Sequence, residues 1–179
     1  MSSHETTLAF WTSPERRDDK DYFPTWSARG CAQRLEFVQF GGLRRTVNGD
    51  LVDIGGKLPH KYRTVITGQD QRPPAFEGFW QGTPLWVDCL LYLSVPLAPE
   101  AREIKLTRLP VPGSLVAQTL SGQPIEIEDV SNQEIFLGSF EEKGTLFYRP
   151  CLAMMVVSYQ AKTDEWGLST GWEIVLEEV

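Results

Sequence analysis

Histidine is almost missing from this chain: His4 and His60 are the two in 179 residues. Neither stands in an HExxH pattern, so a histidine metal centre or a Ser-His-Asp arrangement, each needing an imidazole facing partners at defined spacing, has nothing to stand on. Cysteine is scarce as well. Cys31, Cys89 and Cys151 are odd in number, far apart and without CxxC spacing, which argues against zinc or a disulfide framework and for reduced, buried small hydrophobes. The P-loop, GxSxG and GxGxxG patterns are absent. Positive charge is also in deficit: 17 Lys and Arg face 24 Asp and Glu, a net charge of -7. The phosphate attraction that dominates nucleic-acid affinity is therefore missing, and DNA and RNA are not expected as partners. No apolar run is long enough for a bilayer-spanning helix, and Met1-Ser2-Ser3-His4-Glu5 leads into no apolar segment, so neither membrane insertion nor secretion is expected.

The carboxylates do not fill the gap. Asp18, Asp19 and Asp21 read as a solvated face, Asp50 and Asp53 flank a turn without the other oxygens of a calcium loop, and Glu126 with Glu128 or Glu141 with Glu142 read as edge charges. No catalytic, cofactor-binding or metal-binding residue is assigned, and the chain is expected not to be an enzyme.

What the sequence does have is β pattern. Fifteen glycines and twelve prolines punctuate short alternating runs, which indicates an all-β sandwich or barrel of antiparallel strands. Asn48-Gly49 between two alternating runs predicts a hairpin with a two-residue type I′ turn. Residues 61–67 form a β-branched run, and 83–95 predict one long core strand with Leu85, Val87, Cys89, Leu91, Leu93 and Val95 on a continuous face. Residues 31–179 read as one β domain, with a small insertion or lobe at about 99–143.

The end of the chain is the most telling stretch. Residues 145–160, a turn at Thr163-Asp164-Glu165-Trp166-Gly167, and 170–179 read as a long terminal hairpin. Period-two alternation puts Leu146, Tyr148, Leu152, Met154, Val156 and Ser158 on one face of its first arm and Phe147, Cys151, Ala153, Met155, Val157 and Tyr159 on the other. Both faces are mostly apolar, so both need cover, from a second layer of the same chain or from a neighbouring one. In the return arm Trp172, Ile174 and Leu176 oppose Glu173, Val175 and Glu177, and a charge placed at Val175 is expected to harm folding or assembly.

Residues 1–30 lack either period and carry five large aromatics among charges, which predicts an irregular arm that lies on its own domain or on a partner. The residues expected at an interface are Trp11, Tyr22, Phe23, Trp26, Trp166, Trp172 and Val175. Tryptophans at 80, 86, 166 and 172 admit a second reading, a stacking platform for sugars in a carbohydrate-binding β-sandwich module.

Several segments resemble one group of known proteins. Tyr148-Arg149-Pro150, Met154-Met155-Val156-Val157-Ser158, the Asp164-Glu165-Trp166-Gly167 turn, the terminal Trp172 to Val179, and centrally Leu43-Arg44-Arg45-Thr46-Val47-Asn48-Gly49-Asp50-Leu51 and Gly68-Gln69-Asp70-Gln71-Arg72-Pro73-Pro74-Ala75 are similar to parts of small structural proteins of tailed bacteriophages. The resemblance covers about half the chain in scattered pieces. It implies a tail or baseplate component of the virion, made and assembled in the bacterial cytoplasm, whose partners are other tail or baseplate proteins and copies of itself. It implies no catalytic residue and no cofactor. Open strand edges would then be completed by neighbouring chains, and head-to-tail contacts would close into rings.

Overall fold

The computed structural model describes residues 6–13, 22–23, 27–38, 43–54, 60–166 and 169–179, and every regular element among them is a strand. The all-β antiparallel expectation holds. Strands are numbered along the chain. A seven-stranded antiparallel sheet runs in the order β1 (Ala9–Trp11), β6 (Pro84–Asp88), β15 (Pro150–Thr163), β16 (Thr170–Glu178), β5 (Lys61–Asp70) and β2 (Ala32–Val38). Its seventh member, β9 (Leu109–Pro110), pairs with the first residues of β15. A second sheet has the order β11 (Pro124–Ile125), β10 (Val116–Thr119), β14 (Gly144–Tyr148) and β7 (Leu93–Leu97). A third contains β12 (Ile127–Ser131), β13 (Glu134–Leu137) and β8 (Glu103–Lys105), and β3 (Leu43–Arg45) with β4 (Leu51–Asp53) makes a two-stranded ribbon of its own.

Two expected long strands each divide. The run 83–95 breaks between Asp88 and Leu93, so that β6 joins the large sheet and β7 the second one. The run 145–160 breaks at Arg149: β14 pairs with β10 and β7, while β15 pairs with β6 and β16. Apolar alternation continues straight through both breaks, because each half faces a core, and so the pattern cannot show that the core has changed. The terminal hairpin itself is present, as β15 with β16 at the centre of the large sheet.

Within β15 the register shifts between Val156 and Ser158. One extra residue on the bulged strand reverses the facing of everything beyond it. Tyr159 therefore sits opposite Ile174, on the face of Trp172, and packs edge-on to Phe76 at 5.2 Å instead of sharing a face with Met155.

The first core lies on one face of the large sheet, where Ile66, Val87, Leu152, Met154, Ile174 and Leu176 are all sealed. Its lid is aromatic. Phe76 and Phe79 of the loop after β5 stack at 5.1 Å, and Phe10, Tyr22 and Phe23 pack among them. The segment expected to be an irregular arm thus contributes a sheet strand and part of the lid, since Leu8, Phe10 and Trp11 are buried. A second core gathers residues between Leu97 and Tyr148, including Ile135, Leu137 and Leu146.

Candidate interaction surface

Among the described residues no group of three or more His, Cys, Asp or Glu side chains is placed to hold a metal ion. The thiol of Cys89 is inert: burial pushes its pKa up to about 12. Cys31 is raised as well, burial again being the main cause.

The residues expected at an interface mostly turn inward. Trp11 is sealed on β1 opposite Trp86. Phe23 packs on Phe10 at 4.9 Å and on Phe76 at 5.5 Å, and Tyr22 packs on Phe79 at 4.9 Å. Trp172 and Val175 are buried within the chain. The indole of Trp172 covers Gly68, where a Cβ would run into the ring, and its Nε1 donates to Asp70 Oδ2 at 2.8 Å. Trp26 lies outside the described residues. Of the expected set, Trp166 alone among the described residues stands free, 83% exposed beside its turn. Trp80 is exposed too, while Trp86 is half-buried and Trp172 is consumed by packing, so the four tryptophans do not form one platform.

The exposed apolar surface is elsewhere. On the β3–β4 ribbon Leu43, Val47, Leu51, Val52 and Ile54 are all exposed. Cross-strand pairing puts Leu43 opposite Asp53, Val52 opposite Arg44 and Leu51 opposite Arg45, so the three paired apolar residues each have a charged residue across from them instead of an apolar partner. The turn also differs from the expectation. Asn48 does not take a positive φ; Gly49 does, at 87°, while Thr46 N donates to Asp50 O at 2.9 Å and Gly49 N to Thr46 O at 2.9 Å. This is a three-residue loop closed by a glycine in the left-handed region, and it lifts Val47 to the tip. Two strands alone are marginal in water. The ribbon was legible as a hairpin. Its lack of cover was not, although arms of three residues with charge and grease on both faces were the available signal.

The second feature is the edge of the large sheet. Most free edges among the described strands are blunted in the ways that protect soluble sheets. β1, β8, β9 and β11 have two or three residues, β7 carries Pro96, β12 is acidic at Glu128 and Asp129 with a register shift between Ile127 and Asp129, and the far half of β15, residues 157–163 beyond its pairing with β6, begins at a register shift between Val156 and Ser158 and carries the exposed Lys162. The remaining edge, β2, is unlike them. It runs seven residues in unbroken register on β5 from Ala32–Thr67 to Val38–Lys61, without proline or bulge. Its one charged pair cancels: Arg34 Nε lies 2.8 Å from Glu36 Oε1 on the exposed face. Phe37, stacked on Tyr62 at 5.3 Å, is 71% exposed.

No protein-family model matches this chain, and no curated protein matches it.

Proposed function

We propose that this chain is a structural component of a multi-subunit assembly, the tail or baseplate of a tailed bacteriophage, acting through protein contacts alone. The observation that carries the reading is the β3–β4 ribbon, five exposed apolar residues on a hairpin with no third strand among the described residues. A two-stranded ribbon of that composition is completed by a neighbouring protein, which adds a strand or a surface to it. The resemblance of its sequence to segments of tail proteins supplies the class of neighbour. In this reading the chain needs no cofactor and turns over no substrate.

The test is assembly. In particles grown with Leu43→Asp and Leu51→Asp together, the chain should be made, should fold with its cores unchanged, and should be missing from the tail by electron microscopy. Particles that incorporate the double variant normally would refute the ribbon's role. The exposure of Trp166 supports one other reading, a glycan-binding module. That reading requires glycan-dependent quenching of tryptophan fluorescence that is lost in Trp166→Ala, together with particles indifferent to the ribbon variants.

A further inference from the structure

We infer that β2 is a homotypic seam, at which two copies of the chain pair their β2 strands antiparallel about Leu35 and join their large sheets into one. The inference rests on the assembly reading above and names one contact within it. Its first support is the free side of β2 itself. β2 is the long, straight, unblunted edge among the described strands, and an unprotected edge of that kind is a template for another strand.

The occupant follows from charge and register. When antiparallel strands pair about a two-fold axis at residue 35, Arg34 stands opposite Glu36 of the other copy, and Glu36 opposite its Arg34. The pair that is joined within one strand at 2.8 Å thereby becomes four charges alternating across the seam. Neighbouring registers fail. An axis at Arg34 sets arginine against arginine, and one at Glu36 sets glutamate against glutamate. An axis between two residues opposes side chains from opposite faces and would turn one sheet's core toward solvent. About Leu35 the remaining pairs, Gln33 with Phe37 and Ala32 with Val38, bring no like charges together, and each exposed Phe37 gains a neighbouring strand to cover it. A chain of net charge -7 ordinarily repels its own copies, but this strand carries one charge of each sign. The contact is isologous, so it closes at two copies and leaves the ribbon free for other subunits.

The test is the mass of the full chain by light scattering and sedimentation across a concentration series. The wild-type chain should move from 20.3 kDa towards twice that value as concentration rises. Arg34→Glu alone and Glu36→Arg alone should each weaken self-association by about tenfold or more, since two attractions become two repulsions. The double exchange R34E/E36R should restore it, because the charges then meet in the opposite sense. A chain that stays at 20.3 kDa at every concentration overturns the inference, as does a dimer or larger ring indifferent to the single reversals, or a double variant that fails to recover. Folding of each variant is checked by circular dichroism, and the restoring double variant makes loss through misfolding separable from loss of pairing. Particle assembly that survives R34E while failing with L43D/L51D would retire the seam and leave the structural role standing. The reverse result would retire the structural role and leave the seam.

Discussion

Asp70 shows how one residue decides where its neighbours go. It is buried at the end of β5, and its carboxylate takes Trp172 Nε1 at 2.8 Å, Ala28 N at 3.0 Å and Ser27 Oγ at 3.2 Å. A buried carboxylate is tolerated only when its lone pairs are filled, and here three donors from two distant segments fill them. The same bonds hold Ala28 at a φ of 54°, which a non-glycine residue adopts only when its surroundings impose it. Asp70→Ala should therefore cost roughly 2–4 kcal/mol, because it strands the indole N–H and the Ala28 amide in the interior. Asp70→Asn, which keeps an acceptor, should cost less. Urea unfolding midpoints measure both, and an alanine variant as stable as the parent would show that the cluster is not what fixes the N-terminal segment to the sheet. Trp172 looked available in the sequence because nothing there reveals that a glycine at 68 and an acid at 70 make a seat for it.

At the scale of elements, period-two reading placed side chains correctly wherever a strand stayed regular and within one sheet. Trp172, Ile174 and Leu176 share one face of β16 and Leu152, Met154 and Val156 one face of β15, as their alternation predicted, and all six are buried. It failed at Tyr159, where one bulged residue reverses the count, and across Asp88 to Leu93, where the chain changes sheets without breaking its apolar pattern. Val175 illustrates a subtler limit. It alternates with Glu173 and Glu177, yet it is buried and faces Val65 and Ser158 across the sheet, so its cover comes from its own chain. Val175→Asp should accordingly destabilise the isolated chain by about 1–3 kcal/mol, the cost of an unpaired polar group in such a place. Glu177→Ala should stay within about 0.5 kcal/mol, since its ion pair with Arg63 is long, at 3.7 Å, and wet. A Val175→Asp chain of parental melting temperature that nevertheless fails to assemble would relocate that residue to an intermolecular contact. The ribbon reverses the lesson: its hairpin was readable from Asn48 and Gly49, but whether other strands cover a hairpin is a tertiary fact.

At the scale of the molecule, two hydrophobic cores share one chain, and two arginines join them. Arg149 sits where the chain passes from β14 to β15; its Nε donates to Cys89 O at 2.6 Å and its terminal nitrogen to Thr7 O. Both carbonyls belong to segments flanking strands of the large sheet. Arg108, between β8 and β9, forms a bidentate pair with Glu178 of β16, with both N–O distances 3.0 Å, reaches His60 O at 2.6 Å and lies over the Tyr62 ring at 4.7 Å. Tyr62 N completes the site by donating to Glu178 Oε2 at 2.9 Å. Nothing in the spacing of residues 62, 108 and 178 announces this meeting, which exists only because β5 and β16 are neighbours. A fork of this kind, with little solvent to screen it, couples the stretch between the third sheet and β9 to the end of the large sheet. Arg108→Ala leaves the Glu178 carboxylate largely enclosed with one amide donor, and should lower stability by roughly 2–4 kcal/mol. Because the loss falls at the joint and not in either core, calorimetry should also show the single transition separating into two, with the calorimetric enthalpy exceeding the van't Hoff value. Arg108→Lys should recover little, since an ammonium cannot reproduce the two-pronged pairing or the flat contact on Tyr62. A single undivided transition in Arg108→Ala would mean that the side chain of Arg149 couples the cores, and the same measurement on an Arg149→Ala chain would then carry the split.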